Sequence, residues 1–502
     1  MASSDKPEIF FGLVGPIGVD LETVETTIAR ELKHLEYESV PIRITELMKA
    51  VETGVELKSN SYSEKYHSLI KYADEVCKLA GSSAALAGLA VAKIRAERQR
   101  ITGNEKTPAL GHAFIIRQFK RPEEIELMRK TYGRKYIQIS ITASDKDRTE
   151  KIIESIKNFD DQTKDESECK KETIDLIKKD FDEGDEYFGQ RISKIFHLGD
   201  VFIYGSNKIN IETNIKRFLE SLFGHNGISP TKMEYGMYMA AAASLRSIDL
   251  SRQVGASIFS QQGEILSLGC NEVPKAFGGT YWSEDGENSK RDFDKGGDAN
   301  HSRKMEILYD LLTRMGRGGF LSEALKSKGN SKEQLKQIMN DENIKDSQLM
   351  DIIEFGRMIH AEMSAITDAS RIGTSIRNSI MYCTTFPCHM CAKHIVSSGI
   401  RSLIYLEPYP KSYAVELNSD SITFDPELSD RKVIFLPFFG ISPRRYRDIF
   451  EKKSRKTSQG KKRIWYYDDP LPMIEDKTST YIENEDSSIV SNVPPSRHRT
   501  AN

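Results

Sequence analysis

The sequence predicts an α/β protein of two domains, a parallel sheet with helices on both faces followed by a domain built on a hairpin and strand–helix units. Three observations carry this. The chain has 502 residues, too many for one compact core. From residue 8 to 222, short apolar runs alternate with helical stretches, the pattern of a parallel sheet. After residue 232 the order changes to a helix, two closely joined strands, and then strand–helix units.

The elements follow in order. "EIFFGLVG" (8–15) reads as a buried strand, then a glycine turn, then a helix in "DLETVETTIARELKHL" (20–35). In that helix Leu21, Val24, Ile28 and Leu32 recur at helical spacing behind Asp20, a favourable N-cap. "SVPIRI" (39–44) is a second strand, and a long helical stretch covers roughly 62–101. "HAFIIRQF" (112–119), "YIQISIT" (136–142) and "VFIYG" (201–205) are further strands, and "NIKRFLESLFG" is the closing helix. The first domain is therefore assigned to 1–224 and a linker to 225–231.

The second domain is assigned to 232–470. A helix (232–251) precedes the strands "VGASIFS" and "EILSLGC", joined by the short turn "QQG". Residues 275–350 form a Gly-, Asp-, Asn-, Lys- and Ser-rich insertion with helices expected around 304–314 and 321–340. "HAEMSAITDAS", "SIMYCTT", "CHMCAKHIVSSG" and "SLIYLEP" alternate helix and strand, and "KVIFLP" and "PRRYRDIFEKK" add one of each. Residues 471–502 are polar and aperiodic and are expected to be a disordered tail.

Composition excludes several classes. Apolar residues make up 38 % and charged residues 29 %, and the net charge is −2, so no global basic field favours duplex DNA or an anionic membrane. The most apolar stretch, "AALAGLAVAKI" (84–94), is too short to span a bilayer, and the first residues lack the plan of a signal peptide. Six scattered cysteines (77, 169, 270, 383, 388, 391) do not form a disulfide framework, so a cytoplasmic protein with reduced thiols is expected.

Two of those cysteines sit in "FPCHMC" (386–391). A redox pair would need a different context, and a structural zinc clip would need a second pair that the chain lacks at usable spacing. "IHAEMSAI" (359–366) supplies the alternative. His360, Cys388 and Cys391 give Zn²⁺ three protein ligands and leave a fourth position for water, the mark of a catalytic site. Glu362 lies too near His360 to be a ligand easily, but it can carry a proton. Both ligand groups start helices, whose positive ends favour thiolates, and Pro387 suits a first helical turn.

Together these residues give H-x-E…P-C-x-x-C, the signature of zinc nucleobase deaminases. The segment from about 232 to 465 resembles the cytidine deaminase superfamily, in particular its deoxycytidylate deaminase branch. "SRQVGASIFSQQGEILSLGCNEVP" is similar to that branch's first hairpin and its Gly-x-Asn-x-x-Pro turn. The resemblance implies a three-layer α/β/α domain on a five-stranded mixed sheet, with Zn²⁺ as cofactor. It also implies that Asn271 contacts the substrate sugar, that the Ala361 backbone N–H meets the base, and that Pro387 shapes the base pocket. Arg252 and Lys411 are candidate phosphate contacts. The insertion 275–350 departs from compact members of the branch.

In the first domain, "GLVGPIGVDLET" (12–23) stands where a phosphate loop belongs. Against G-x-x-x-x-G-K-[ST] it keeps Gly15 and Gly18 but has Asp20, Leu21 and Glu22 where Gly, Lys and Ser or Thr are wanted. With "HAFIIRQFKRPEEIELMRKTYGRKYIQISITASDKDR" it resembles a P-loop nucleoside or nucleotide kinase, with a regulatory rather than catalytic role implied.

The layout of the whole is similar to that of the bacterial anti-phage dCTP deaminases. That implies hydrolytic deamination of free deoxycytidine nucleotides (dCTP to dUTP, and also dCMP to dUMP), depleting dCTP during phage infection. It further implies a homo-oligomer and, in some members, an inhibitory noncoding RNA. A polynucleotide or tRNA base deaminase is the alternative, but it would want a basic channel with stacking aromatics. A sensing module with a vestigial deaminase is disfavoured by the intact His360, Glu362, Cys388 and Cys391. The basic run 442–463 is read as a solvated face, with Arg444, Arg445 and Arg447 as alternative phosphate or RNA contacts, and His389 as a residue able to line the pocket.

Overall fold

The computed structural model describes residues 6–160, 164–181, 188–205, 207–321, 338, 341, 344, 347–409, 411–452, 454–465, 470–474 and 480–494. The chain forms two compact units, Met1–Glu234 with Phe439–Asn502, and Tyr235–Phe438. Among the described residues no single helix is long and apolar enough to cross a membrane.

The first unit is built on a six-stranded sheet. Strands β1 (Ile9–Val14), β2 (Glu38–Arg43), β3 (His112–Arg117), β4 (Tyr136–Thr142) and β5 (Val201–Tyr204) are parallel in the order β5-β4-β1-β3-β2. β1 is buried on both faces, which is why it reads as an unbroken apolar run. Ile9, Phe11 and Leu13 pack with Val24, Ile28 and Leu32 of the first helix (Leu21–His34), while Phe10 and Val14 join Val76, Val91 and Ile94 on the other face.

Four expectations change here. The helical stretch 62–101 is two helices, Tyr62–Ala80 and Ala85–Thr102, bent by 84° where Gly81 adopts a left-handed φ of 64°. The second domain does not run to 470. After Phe438 the chain returns to the first unit, where Gly440–Ile441 pairs antiparallel with β5 and the helix Pro443–Phe450 follows. Arg445 is buried there, donating to Asp200 (3.1 Å) and to the carbonyls of Arg134 (2.9 Å) and Tyr136 (2.7 Å), so it is neither a phosphate nor an RNA contact. The polar tail also carries structure, since Tyr481–Asn492 is a helix that buries Tyr481, Glu485 and Ser488 along one face.

The second unit has a six-stranded mixed sheet rather than five strands. The hairpin β6 (Gly255–Phe259) and β7 (Ile265–Cys270) is antiparallel, and β8 (Ile380–Thr385) pairs antiparallel with β6. β9 (Ser402–Glu407), β10 (Ile422–Thr423) and β11 (Val433–Pro437) complete the order β10-β11-β9-β8-β6-β7, with parallel pairing from β8 to β10. β10 has only two residues, too few to show a period of two in the sequence.

Helices cover both faces, giving three layers. Gly236 of the helix Lys232–Ser244 meets the ring of Tyr382 on one face, where Ser257 also donates to the Gly236 carbonyl (2.8 Å). On the other face Ala256, Ile258, Met381 and Cys383 pack with Ala361, Ala365 and Ile395. The insertion contains the helix Ala299–Arg317, which spans the expected 304–314 element, whereas the one expected at 321–340 lies almost wholly outside the described residues.

One buried charge cluster tests how the returning C-terminal segment is held. Arg98 is fully buried and pairs with Glu8 (2.9 Å) and with Glu485 of the terminal helix (2.7 Å), both also fully buried. Removing the guanidinium strands two carboxylates in the core. Arg98→Met should destabilise this unit by about 3–5 kcal/mol in equilibrium unfolding, and a loss below about 1 kcal/mol would contradict that role.

Candidate active site

Two helix starts converge at the carboxyl-terminal side of β8. The histidine helix (Ala361–Ile372) buries Ala361, Ala365 and Ala369 at four-residue spacing and ends at Gly373 in a left-handed conformation (φ 76°). It lies close on β7 because Gly269 has no side chain. A Cβ there would stand 2.2 Å from the Ala361 carbonyl and 2.4 Å from the Ala365 nitrogen. Reciprocal backbone bonds between Glu272 and Ile359 (3.3 and 3.0 Å) fix the chain just before His360, the N-cap.

The cysteine helix (His389–Ser397) starts behind Cys388, its N-cap, so Cys391 falls in the first turn. Its entry is held by Phe386 donating to the Glu407 carbonyl (2.7 Å) and by Ser412 donating to the Pro387 carbonyl (2.7 Å). Pro387 thus precedes the cap instead of occupying the first turn.

His360 Nδ1 stands 3.4 Å from each of the Cys388 and Cys391 sulfurs, and the three donor atoms lie within 4.8 Å of one another. Two thiolates and an imidazole are a zinc donor set, and three protein ligands leave an open position. The Cys388 thiol is held far below its ordinary range, first by the Cys391 hydrogen bond and then by His360. The Cys388 hydrogen bond in turn lifts the His360 imidazole to about 9. Glu362 is buried beside them, and desolvation raises its carboxyl above the ordinary range while His360 pulls the other way.

The group opens into a pocket of about 310 Å³. His360, Ala361, Glu362, Cys388, Asn271 and Arg252 all line it, so the structure brings together six of the residues singled out in the sequence. The Asn271 side chain is pinned, accepting from Val254 N (2.7 Å) and donating to the Arg252 carbonyl (2.8 Å), which leaves one N–H and one lone pair for a ligand. Arg252 pairs with Glu407 (3.0 Å).

Other expected residues lie elsewhere. Pro387 is not among the lining residues, and Lys411 pairs with Asp351 (2.6 Å). His389 contacts Glu354 (3.3 Å) instead of lining the pocket. Gly15 and Gly18 belong to the first unit and take no part in this site.

Sequence reasoning missed several wall residues. Thr385, Phe386 and Tyr409 flank the recognised motif and were within reach of it. Asp298 and Asn300, at the start of the insertion's helix, carry no motif and reach the wall only through the fold.

An open three-ligand metal group beside a buried carboxylate, in a concave pocket, defines a catalytic metal centre. Comparison with known proteins shows what this segment is similar to. Residues 230–407 match the family described as the cytidine and deoxycytidylate deaminase zinc-binding region. All three ligands and Glu362 fall inside that match, and zinc is its cofactor.

The deoxycytidylate deaminases of enterobacteria phages T2 and T4 are each 52 % identical over 54 residues, 11 % of this chain and 29 % and 28 % of theirs. A probable deoxycytidylate deaminase of Drosophila melanogaster is 30 % identical over 102 residues, 19 % of this chain and 49 % of its own. The chain therefore spans less than half the length of each of these relatives. The solved dCMP deaminase of cyanophage S-TIM5, at 17 % identity, covers 42 % of this chain and 99 % of its own with a TM-score of 0.22, too low to bear on the fold.

Two substitutions test the centre. Cys391→Ala should take the zinc content of the purified protein from about one per chain to a small fraction of that, measured by atomic absorption. Gly269→Ala, far from any ligand atom in sequence, should also deplete zinc by displacing the histidine helix. Gly297→Ala, with open space around its Cβ position, should not.

Proposed function

We propose that this protein hydrolytically deaminates free deoxycytidine nucleotides. The observation that carries the reading is the placement of His360, Cys388 and Cys391 around one point, with buried Glu362 alongside and Asn271 across the same pocket. Zinc, when bound, supplies a Lewis acid that lowers the pKa of water at the open position. The chain's own groups do the rest.

Glu362 takes a proton from the water that adds to C4 of cytosine and delivers it to the ring nitrogen, then takes the second proton from the resulting C4 hydroxyl and delivers it to the departing amine. The C4–N bond breaks, ammonia leaves, and the water oxygen remains as the uracil carbonyl. Burial suits Glu362 to this work, because a carboxyl raised above its ordinary range gives up and regains a proton more readily near neutrality. Asn271 orients the sugar, and Ala361, in the first turn of its helix, offers a backbone N–H to the base.

The relatives named as deoxycytidylate deaminases support a deoxycytidine nucleotide as substrate. The two-unit layout, similar to that of anti-phage dCTP deaminases, supports dCTP and a role in defence against phage. Arg252 is then the phosphate contact nearest the base, exchanging Glu407 for the substrate. Lys411, paired with Asp351 outside the wall, is a second cation available to a longer phosphate chain.

Incubation with dCMP, dCTP, CTP and single-stranded DNA, followed by chromatography, should give a uracil product from a free deoxycytidine nucleotide and not from DNA. Conversion of DNA alone would sink the proposal. Glu362→Gln should lower kcat by about 10³-fold while zinc stays bound. Arg252→Ala should raise KM more than it lowers kcat.

A further inference from the structure

The insertion supplies one wall of the pocket that holds the metal group. Asp298 caps the helix Ala299–Arg317, accepting from Asn300 N (2.8 Å), and both residues line the pocket. The segment 350–358, which follows the insertion and leads to His360, adds Ile353, Gly356 and Met358 to the lining.

Asn300 joins these two parts. Its amide nitrogen donates to the Ile352 carbonyl (2.8 Å), and its oxygen accepts from Phe355 N (3.2 Å). Both halves of a buried amide are thus spent on the backbone on either side of Ile353. Lys304, one turn further along the helix and outside the pocket wall, donates to the Met350 carbonyl (2.8 Å). Arg357 pairs with Asp292 (2.6 Å) and donates to the Lys290 carbonyl (3.0 Å).

The same segment is held from the cysteine side. Asp351 pairs with Lys411 (2.6 Å), beyond β9, and Glu354 contacts His389 (3.3 Å), in the first turn of the cysteine helix. Residues 350–358 therefore form a strap that spans from the insertion to the cysteine helix along one side of the mouth. Asp298, Asp351 and Glu354 place three carboxylates along this rim, against the Lys411 ammonium and the His389 ring.

A nucleotide inside a strand carries phosphate on both its 5′ and 3′ sides, and it needs a groove open at both ends. A free nucleotide needs one opening, and Arg252 stands in the wall to meet its phosphate. A tied strap bearing carboxylates blocks a second exit by bulk and by charge.

We propose that the Asn300 tie closes that second exit and restricts the pocket to nucleotides phosphorylated on one side only. Asn300 is a positioning residue, acting through the strap. The inference rests on the reading of this pocket as a deaminase site and adds what confines its substrate.

Isothermal titration of the full chain with dUMP and with 2′-deoxyuridine 3′,5′-bisphosphate reads the restriction without turnover, since neither has an amine to lose. The unaltered protein should bind dUMP at least about tenfold more tightly than the bisphosphate. Asn300→Ala should narrow that ratio to below about threefold and raise KM for dCMP more than it lowers kcat. Lys304→Met removes a tie without touching the wall and should shift the binding ratio in the same direction. It also carries the test if Asn300→Ala fails to fold. Both variants should keep the zinc content of the unaltered protein. Equal affinity for the two probes, a ratio unchanged in both variants, or loss of zinc in both would overturn the proposal. So would no saturation by dUMP up to about 1 mM. Discrimination as expected, in a protein that converts no free deoxycytidine nucleotide, would count against the deamination reading alone.

Discussion

The geometry of the metal centre depends on a close approach of backbone to backbone at Gly269. Because no Cβ intervenes, the first turn of the histidine helix lies directly on β7. His360, one residue ahead of that turn, then overhangs the end of the hairpin, and the Glu272–Ile359 bonds hold it there. The same contact sets Asn271 beside the pocket, since Asn271 is the neighbour of Glu272 and its side chain is tied back to Val254 and Arg252. One packing constraint therefore positions His360 of the candidate metal group, buried Glu362 and the Asn271 amide. The cysteines arrive by a different route, at the end of β8, and the parallel pairing of β8 with β9 brings the two helix starts together.

Electrostatics explains why these residue types tolerate the position. A buried carboxylate and two thiols would ordinarily stay neutral, because burial penalises charge. Here both helix starts present unsatisfied N–H groups toward the cluster, and His360 is in contact with both sulfurs. Cys388 accordingly moves toward thiolate while Cys383, fully buried in β8 and facing the Glu362 carboxyl, is pushed upward as a thiol, chiefly by desolvation. The difference follows the hydrogen bonds that Cys388 makes with Cys391 and His360, since Cys391, its partner in the pair, is pushed upward as Cys383 is.

How much of this was legible in the sequence depends on whether the determinant is local. The three ligands and Glu362 were readable because H-x-E and P-C-x-x-C each encode a helix start, a feature within four residues. The long strands β1 and β3 were readable because burial on both faces leaves an apolar run, and β4 because isoleucine recurs at every second position. Strands of two residues, Ile422–Thr423 and Gly440–Ile441, have no such signature and are created by their partners. The terminal helix was missed because the face it buries is Tyr481, Glu485 and Ser488, whose burial is made tolerable by Arg98 almost four hundred residues away. Arg445 looked like a member of a solvated basic run for the same reason, since its partner Asp200 is distant in sequence. Asp298 and Asn300 reach the pocket from an insertion with no pattern at all.

The glycine-containing loop after β1 shows the same principle in reverse. In sequence, Asp20 and Glu22 stand where the phosphate-loop pattern wants Gly and Ser or Thr, and they bring negative charge there. In the fold, Asp20 turns toward its own helix and caps Thr23 through both backbone N–H (3.0 Å) and hydroxyl (2.9 Å), so it is absorbed by local structure. The residue that decides the loop's chemistry is Asp180, 163 positions from Ile17, and only tertiary structure reveals it. A cradle of N–H groups keeps its shape when it has an anion to hold, and a buried carboxylate from the same chain serves as well as a ligand. The Ile17 N–H thus holds a carboxylate of its own chain. In the other unit the same kind of helix start faces two cysteines and an open pocket.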